Sequence, residues 1–266
     1  MKPKYTTIIL IALLLCSGAI YAQDSQTEDL PFTYGEVLDF EVSYGWLNLA
    51  DAKLEIHRKP EFVNDAEHMR IDAYGKTKGA AKVFGKVKDN WGSILNPETM
   101  LPIQSYRHIE EGNYRKHEVI DFGQEAKVAY TTLYDRDNKK VKEKRFFNLP
   151  GEVQDIVSGF YFLRSKDLTA LNKGETIVIQ GFFDKEVYKI ELIYEGTENL
   201  VTVFGRQQTF VFSPKIPENK LFRGDFPIKV WVTQDENKIP VKIKANLFIG
   251  SIDLDLVSAK GLKKPY

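Results

Sequence analysis

The sequence predicts a mainly β protein: a large, curved antiparallel sheet or half-open β-barrel with one central amphipathic helix. Three observations lead there. Apolar and polar residues alternate with a period of two through most of the chain. Clusters of Asn, Asp, Gly and Pro interrupt the alternation at short intervals. One segment near the middle switches to spacings of three and four. The 13 Tyr and 17 Phe suit pleated, half-buried surfaces, and curling such a sheet hides its edges and creates a cavity.

The chain opens with a leader. Lys2 and Lys4 precede an unbroken apolar run from Ile8 to Leu15, and Ala19-Ile20-Tyr21-Ala22 ends in a small residue before Gln23. This is the layout of a secretory signal peptide over residues 1–22, and the apolar run is too short for a permanent span. The alternative is a lipoprotein leader acylated at Cys16, although Leu15 is larger than that processing prefers. Cleavage after Ala22 removes the sole cysteine, and with it disulfide or thiolate chemistry. Residues 23–34 read as a flexible lead-in. Residues 35–262 read as a single β-rich domain, with two similar halves joined near 150–170 as the other division.

In Val37 to Trp46, Leu38, Phe40, Val42, Tyr44 and Trp46 share a face opposite Asp39, Glu41 and Ser43. Ala52, Leu54 and Ile56 continue as an antiparallel partner, and Met69, Ile71 and Ala73 as a third strand. Gly75 to Val87, with Lys76, Lys78, Lys82 and Lys86, fits a bent strand, a loop or a short helix at 80–84. Trp91 lies in an extended run from Lys88 to Ile94, followed by a turn at Asn96-Pro97-Glu98. Hairpins are expected for 105–109 with 114–122 and for 127–134 with 142–147. Val153, Ile156, Phe160 and Leu163 mark a helix from about Asp155 to Lys166. Asp155 near its start and Arg164 and Lys166 near its end suit the helix dipole. Further strands are expected at 176–182, 187–194, 200–204, 228–233, 241–245 and 251–257.

Charge and motifs narrow the function. Basic and acidic residues balance at 37 each, against a dedicated nucleic-acid binder. No later apolar stretch reaches spanning length, so the mature chain is expected to lack a transmembrane helix. Gly79 to Val87 has the wrong spacing for a phosphate loop and lacks its hydroxyl. His117-Glu118 lacks a second histidine at residue 121, and the four histidines lie on separate segments. Asp135-Arg136-Asp137-Asn138 lacks the glycine and closing glutamate of a calcium loop. No serine elbow occurs around Ser158. No metal or cofactor is expected, and the reading leans against an enzyme. A hydrolase whose residues meet only in three dimensions stays open.

Several stretches resemble the exported bacterial family called domain of unknown function 3108. They are Gly35-Glu36-Val37-Leu38, Val42-Ser43-Tyr44-Gly45, Leu101-Pro102, Asp155 to Arg164, Trp231 to Asp235 with Ile239-Pro240-Val241, and Gly250-Ser251. Their order and spacing carry the resemblance. It implies a β-rich envelope protein, periplasmic or outer-membrane-associated, and brings no activity or catalytic residue.

The residues themselves allow two accounts of this helix. Asp155 and Ser158 suit an N-cap. Tyr161 and Arg164 share a face, and Arg164 can pair with a sheet carboxylate such as Asp235. They either dock the helix or line a pocket for an anionic head group. Tyr44, Trp46, Trp91, Tyr161, Arg164 and Trp231 are the candidate ligand-binding residues. The expected partner is a lipid or other hydrophobic small molecule, or an envelope protein recruited at an exposed sheet edge.

Overall fold

The computed structural model describes residues 30–83, 85–137, 140–215 and 226–266. The leader expectation falls outside these residues. The strands are β1 (Val37–Tyr44), β2 (Leu47–Ile56), β3 (Glu61–Val63), β4 (Ala66–Thr77), β5 (Lys88–Leu95), β6 (Pro102–Glu111), β7 (Tyr114–Gly123), β8 (Val128–Tyr134) and β9 (Val141–Asn148). After the helix α1 (Ile156–Ser165) come β10 (Thr176–Phe183), β11 (Glu186–Thr202), β12 (Gly205–Pro214), β13 (Ile228–Thr233), β14 (Pro240–Asn246) and β15 (Ser251–Lys260).

All strands but β3 follow one antiparallel path: β10-β11-β12-β13-β14-β15-β1-β2-β4-β5-β6-β7-β8-β9. β3 pairs with β4 alone. Each strand therefore lies beside its sequence neighbour, and β1 joins the two chain ends by pairing with β15, with Val42 opposite Leu254. The path is an up-and-down ring interrupted at one place, between β9 and β10, where the chain leaves to form α1. This is the half-open barrel that the alternation predicts.

Alternating strand directions sort the connections into two rims. The β1–β2, β4–β5, β6–β7, β8–β9, β10–β11 and β14–β15 connections share the upper rim. The helix, both described chain ends and the remaining described connections share the lower rim. Tight two-residue turns hold several strands in register. Gly112-Asn113 connects Glu111 to Tyr114, with Gly112 at φ 54°, a left-handed conformation that glycine adopts freely.

The interior face follows the alternation. Leu38, Phe40, Val42, Ala50, Ala52, Leu54 and Ile56 are buried in one core with Met69, Ile71 and Trp91. The 3-10 turn Gly79–Val83 resolves the ambiguous basic segment. Two expectations change. Residues 200–204 are not a separate strand but mostly the end of the 17-residue β11, which bends through a bulge between Tyr194 and Gly196. β12 is absent from the periodic reading because Thr209 to Pro214 is buried continuously, which erases the alternation.

α1 closes the lower rim. Asp155 Oδ1 accepts from Val157 N at 2.7 Å and Ser158 N at 3.1 Å, while Ser158 Oγ accepts from Asp155 N at 2.9 Å. This reciprocal cap sets the helix start. Arg164, 1% exposed, donates to both carboxylate oxygens of Glu36 at 2.6 and 2.9 Å. Its other bonds go to the carbonyls of Asn237 and Lys238, both at 3.0 Å. Its guanidinium lies 5.0 Å from each of the Phe32 and Tyr161 ring centres. Burial opposes the Arg164 charge, yet Glu36 outweighs it and the pKa is raised. The partner is thus Glu36 rather than Asp235. Asp235 instead accepts from Asn237 N, Lys238 N and Thr233 Oγ1, holding the β13–β14 turn.

Removing Glu36 leaves a buried, uncompensated guanidinium. Glu36→Ala is expected to lose about 3–5 kcal/mol in denaturant titration, and pairing it with Arg164→Met to recover much of that; equal loss in both variants refutes the coupling.

Asp89, 3% exposed on β5, supplies the opposite pH dependence from an ordinary surface acid. Burial raises its pKa to about 7; the backbone bond from Glu110 opposes this, and the Glu111 and Glu110 charges add to the rise. The folded state therefore holds a proton that the unfolded chain has lost, so stability falls as pH rises from about 4 to about 7. Asp89→Asn is expected to flatten that slope in melting curves, and an unchanged slope counts against it.

Candidate functional site

The seam between β9 and β10 is closed by side chains instead of a strand ladder. Phe182 on β10 packs on Phe122 of β7 at 6.0 Å and Phe147 of β9 at 5.4 Å. Gln154 lies along the β10 edge: its N–H donates to Gln180 O and its carbonyl accepts from Phe182 N, both at 2.8 Å. The β9 edge is charged, with Lys142, Lys144 and Arg145, a pattern that discourages strand addition.

The β10–β11 turn, Asp184-Lys185, reaches across this seam on the upper rim. Phe183 stacks on Trp91 of β5 at 5.8 Å. Arg107 of β6 lies over both rings, at 4.8 Å from Phe183 and 5.4 Å from Trp91. Arg107 donates to Glu118 Oε2 at 2.6 Å and Asp184 Oδ1 at 2.8 Å. Lys116 donates to the same Asp184 oxygen at 3.0 Å, and Lys185 to Glu143 of β9 at 2.6 Å. Burial would raise the Asp184 pKa, but the Lys116 bond and the Lys116 and Arg107 charges overcome it and hold the carboxyl at about 2.

Above this network opens a groove of about 560 Å³. Arg115, Lys116, Arg136, Lys142 and Lys185 line it, against the acids Glu118 and Asp184, with Tyr114 and Tyr134 on its walls. Lys116 and Lys185 are occupied by the seam, and Arg115 by the carbonyls of Gly112 and Tyr114. Arg136 and Lys142 have no ion pair among the described residues. A concentrated positive field with two uncommitted cations suits a bound anion. Behind the groove, the cavity at Trp91, Arg107, Asp155 and Phe183 measures about 20 Å³, room for one water and not for an acyl chain. A lower-rim hollow of about 340 Å³ also carries lysines, but Lys264 pairs with Glu236 there and Lys263 donates to Leu30 O.

The six candidate residues are dispersed. Tyr44 and Trp46 sit at the β1–β2 turn on the upper rim, 37% and 92% exposed. Trp91 is under the seam. Tyr161 and Arg164 are in the lower-rim plug, where four guanidinium bonds to the chain's own groups occupy Arg164. Trp231 is buried on β13 and donates to Glu198 at 2.8 Å. The groove cations escaped sequence reasoning because they come from β7, β9 and the β8–β9 and β10–β11 turns, which are far apart in the chain. The only local signal was basic residues recurring beside turns.

The histidines do not converge. His108 and His117 face each other across β6 and β7 with ring centres 5.0 Å apart, and burial together with His117 lowers the His108 pKa. His57 pairs with Asp72 at 2.6 Å, and Tyr106 donates to the other Asp72 oxygen at 2.6 Å. Tyr106 lies over Gly92, where a Cβ would come within 2.0 Å of the ring. This outer-face network buries Asp72 completely. His68 is bonded to the Ala66 carbonyl. Among the described residues no group of three or more His, Cys, Asp or Glu is arranged to hold a metal. Asp155, a buried carboxyl with a raised pKa from burial, is committed to the helix cap and to Ser93 Oγ at 2.6 Å.

Comparison with known proteins agrees with the architecture. Residues 39–257 match the family described as Protein of unknown function (DUF3108). No curated protein matches the chain. A crystal structure of a β-barrel-like protein of domain of unknown function DUF1849 from Brucella abortus is similar at TM-score 0.55 and 8% identity, over 85% of this chain and 97% of that one. A candidate lipoprotein from Parabacteroides distasonis ATCC 8503 aligns at TM-score 0.31 and 10% identity, over 87% and 97% of the respective chains. No helix among the described residues is long and apolar enough to cross a membrane.

The Asp184 latch has a defined acid window. A carboxyl depressed to about 2 contributes stability that is complete above its ordinary pKa near 3.8 and lost as pH falls through about 2. Wild type is expected to exceed Asp184→Asn in stability above pH ~4 and to converge with it below pH ~2. A pH-independent gap in chemical denaturation contradicts the latch.

Proposed function

The chain belongs to the family described as Protein of unknown function (DUF3108), and we propose that it is a non-catalytic binding protein of the cell envelope. Its seat is the upper-rim groove, and its ligand is an anionic envelope component that presents a phosphate or carboxylate head. The observation that carries this reading is the groove's five cations, two of them unpaired among the described residues, around a volume of about 560 Å³. The leader pattern of residues 1–22 supports an envelope address.

A lipid-like ligand is held here by its head group. The barrel interior beside α1 is packed with Phe40, Phe160, Tyr161 and Leu163, and the cavity under the seam takes no chain. The seam network presets the groove, because Asp184 and Lys185 are pinned before any ligand arrives. Preorganised donors lose little freedom on binding. Tyr114 and Tyr134 add apolar contact next to the charged head. The charged β9 edge gives less support to recruitment of a protein by strand addition.

Isothermal titration with dihexanoyl phosphatidylglycerol below its micellar concentration tests this reading. Saturable binding is expected, weakened about tenfold or more by the double variant Arg136→Glu and Lys142→Glu and by added salt. Absence of saturation, or equal binding by the double variant, refutes the groove as the seat. Native mass spectrometry of protein purified from the periplasm, followed by organic extraction, then identifies any co-purified ligand.

A further inference from the structure

The upper rim carries a second surface whose chemistry the groove does not use. At the β1–β2 turn, Trp46 is 92% exposed and Tyr44 37%. At the β14–β15 turn, Phe248 is 60% exposed and Ile249 80%. The two turns are one surface: Tyr44 OH donates to Ile249 O at 3.0 Å, and Tyr44 lies opposite Ile252 in the β1–β15 ladder. Phe226, 40% exposed, adjoins them, because Asn246 N donates to Pro227 O at 2.7 Å. Large apolar side chains fully presented at adjacent turn tips are unusual on a soluble surface and mark an interaction site.

Lysines border these tips. From Lys76 to Lys88 the sequence holds five lysines and no acid. This segment abuts the same hairpin: Lys78 N donates to Leu49 O at 3.0 Å, and Thr77 lies opposite Ala50. Lys78 is paired with Glu41 and Asp51. Lys76, Lys82, Lys86 and Lys88 are exposed and have no ion pair among the described residues.

We propose that this rim docks the protein on an anionic lipid bilayer, with Trp46, Phe248 and Ile249 inserted at the level of the head groups and the lysine segment lying over lipid phosphates. Two features select a bilayer over a protein partner. The apolar groups stand at turn tips with most of their surface in solvent, so they fit a fluid surface that can close around them. The acids at this hairpin, Glu41 and Asp51, are taken up by Lys78, so the exposed lysines that remain, Lys76, Lys82, Lys86 and Lys88, are complementary to anionic lipid. Tryptophan and tyrosine also prefer the interfacial layer, where an apolar ring meets a polar edge.

Tryptophan fluorescence tests the docking directly, because Trp91 and Trp231 are 7% and 6% exposed and only Trp46 meets solvent. The chain from Gln23, which retains every described strand, is mixed with phosphatidylcholine vesicles containing roughly 30 mol % phosphatidylglycerol. Co-sedimentation is expected, with a blue shift of Trp46 emission and protection from acrylamide. Trp46→Ser with Ile249→Ser is expected to abolish sedimentation. These side chains are exposed, so the melting temperature stays unchanged and reports folding. Lys82→Gln with Lys86→Gln is expected to weaken binding several-fold, as is replacement by pure phosphatidylcholine.

Failure to sediment overturns the proposal. So does sedimentation with unshifted Trp46 emission, or binding equal in the tip variant. A concentration-dependent dimer in ultracentrifugation, lost in the tip variant and paired with no vesicle binding, assigns the surface to a second copy instead and likewise overturns it.

Discussion

The contact between Arg164 and Glu36 joins parts of the chain that the sheet ladder does not itself bring together. A ring of strands interrupted between β9 and β10 needs something to fill its open base, and α1 does so. Arg164 ties that helix to the residue preceding β1 and to the β13–β14 turn. Two charges removed from water interact strongly but also lose hydration, so such a pair contributes modest net stability. Its larger effect is on register. A guanidinium with four bonds filled by a carboxylate and two carbonyls accepts one helix position, and the Phe32 and Tyr161 rings exclude water around it.

That fixed base has consequences at the other end. Because α1 is held, Asp155 at its start is held against Ser93 of β5, and Gln154 beside it is laid along the β10 edge. β10 and β11 are thereby directed across the seam, and their turn reaches Arg107 and Lys116. The seam is closed by rings and ion pairs, without the cooperative ladder found elsewhere. That closure holds the β10–β11 turn by Arg107, Lys116 and Glu143. The candidate groove sits on this junction, with its cations contributed by β7, by the β8–β9 and β10–β11 turns and by the first residues of β9.

The upper rim thus combines two chemistries on adjoining turns. The groove presents charge in a recess, suited to one head group. The β1–β2 and β14–β15 turns present exposed apolar tips, suited to a deformable surface. Gly112 N donating to Lys86 O joins the lysine segment to the β6–β7 turn, whose Asn113 lines the groove. A protein seated on anionic lipid by its tips would bring the groove to the plane of the head groups.

Much of the fold was legible in the residues. Alternation in β1, β2 and β4 identified the buried face. Asp155 and Ser158 marked the helix cap, and the spacing of Val153, Ile156, Phe160 and Leu163 marked its packed side. β12 was hidden because burial on both faces leaves no period to read. The burial of Asp72 left no local signal because its cover, Tyr106, comes from another strand. By itself the sequence determined the β class, the single capped helix and the alternating core, since propensity and periodicity act between residues close in the chain. Tertiary structure alone decided that Arg164 meets Glu36, that Asp184 crosses the seam, and that Tyr44 meets Ile249. Those contacts span 128 residues for Arg164 and Glu36, 77 for Arg107 and Asp184, and 205 for Tyr44 and Ile249. They depend on the order in which strands close the ring, which no local pattern encodes.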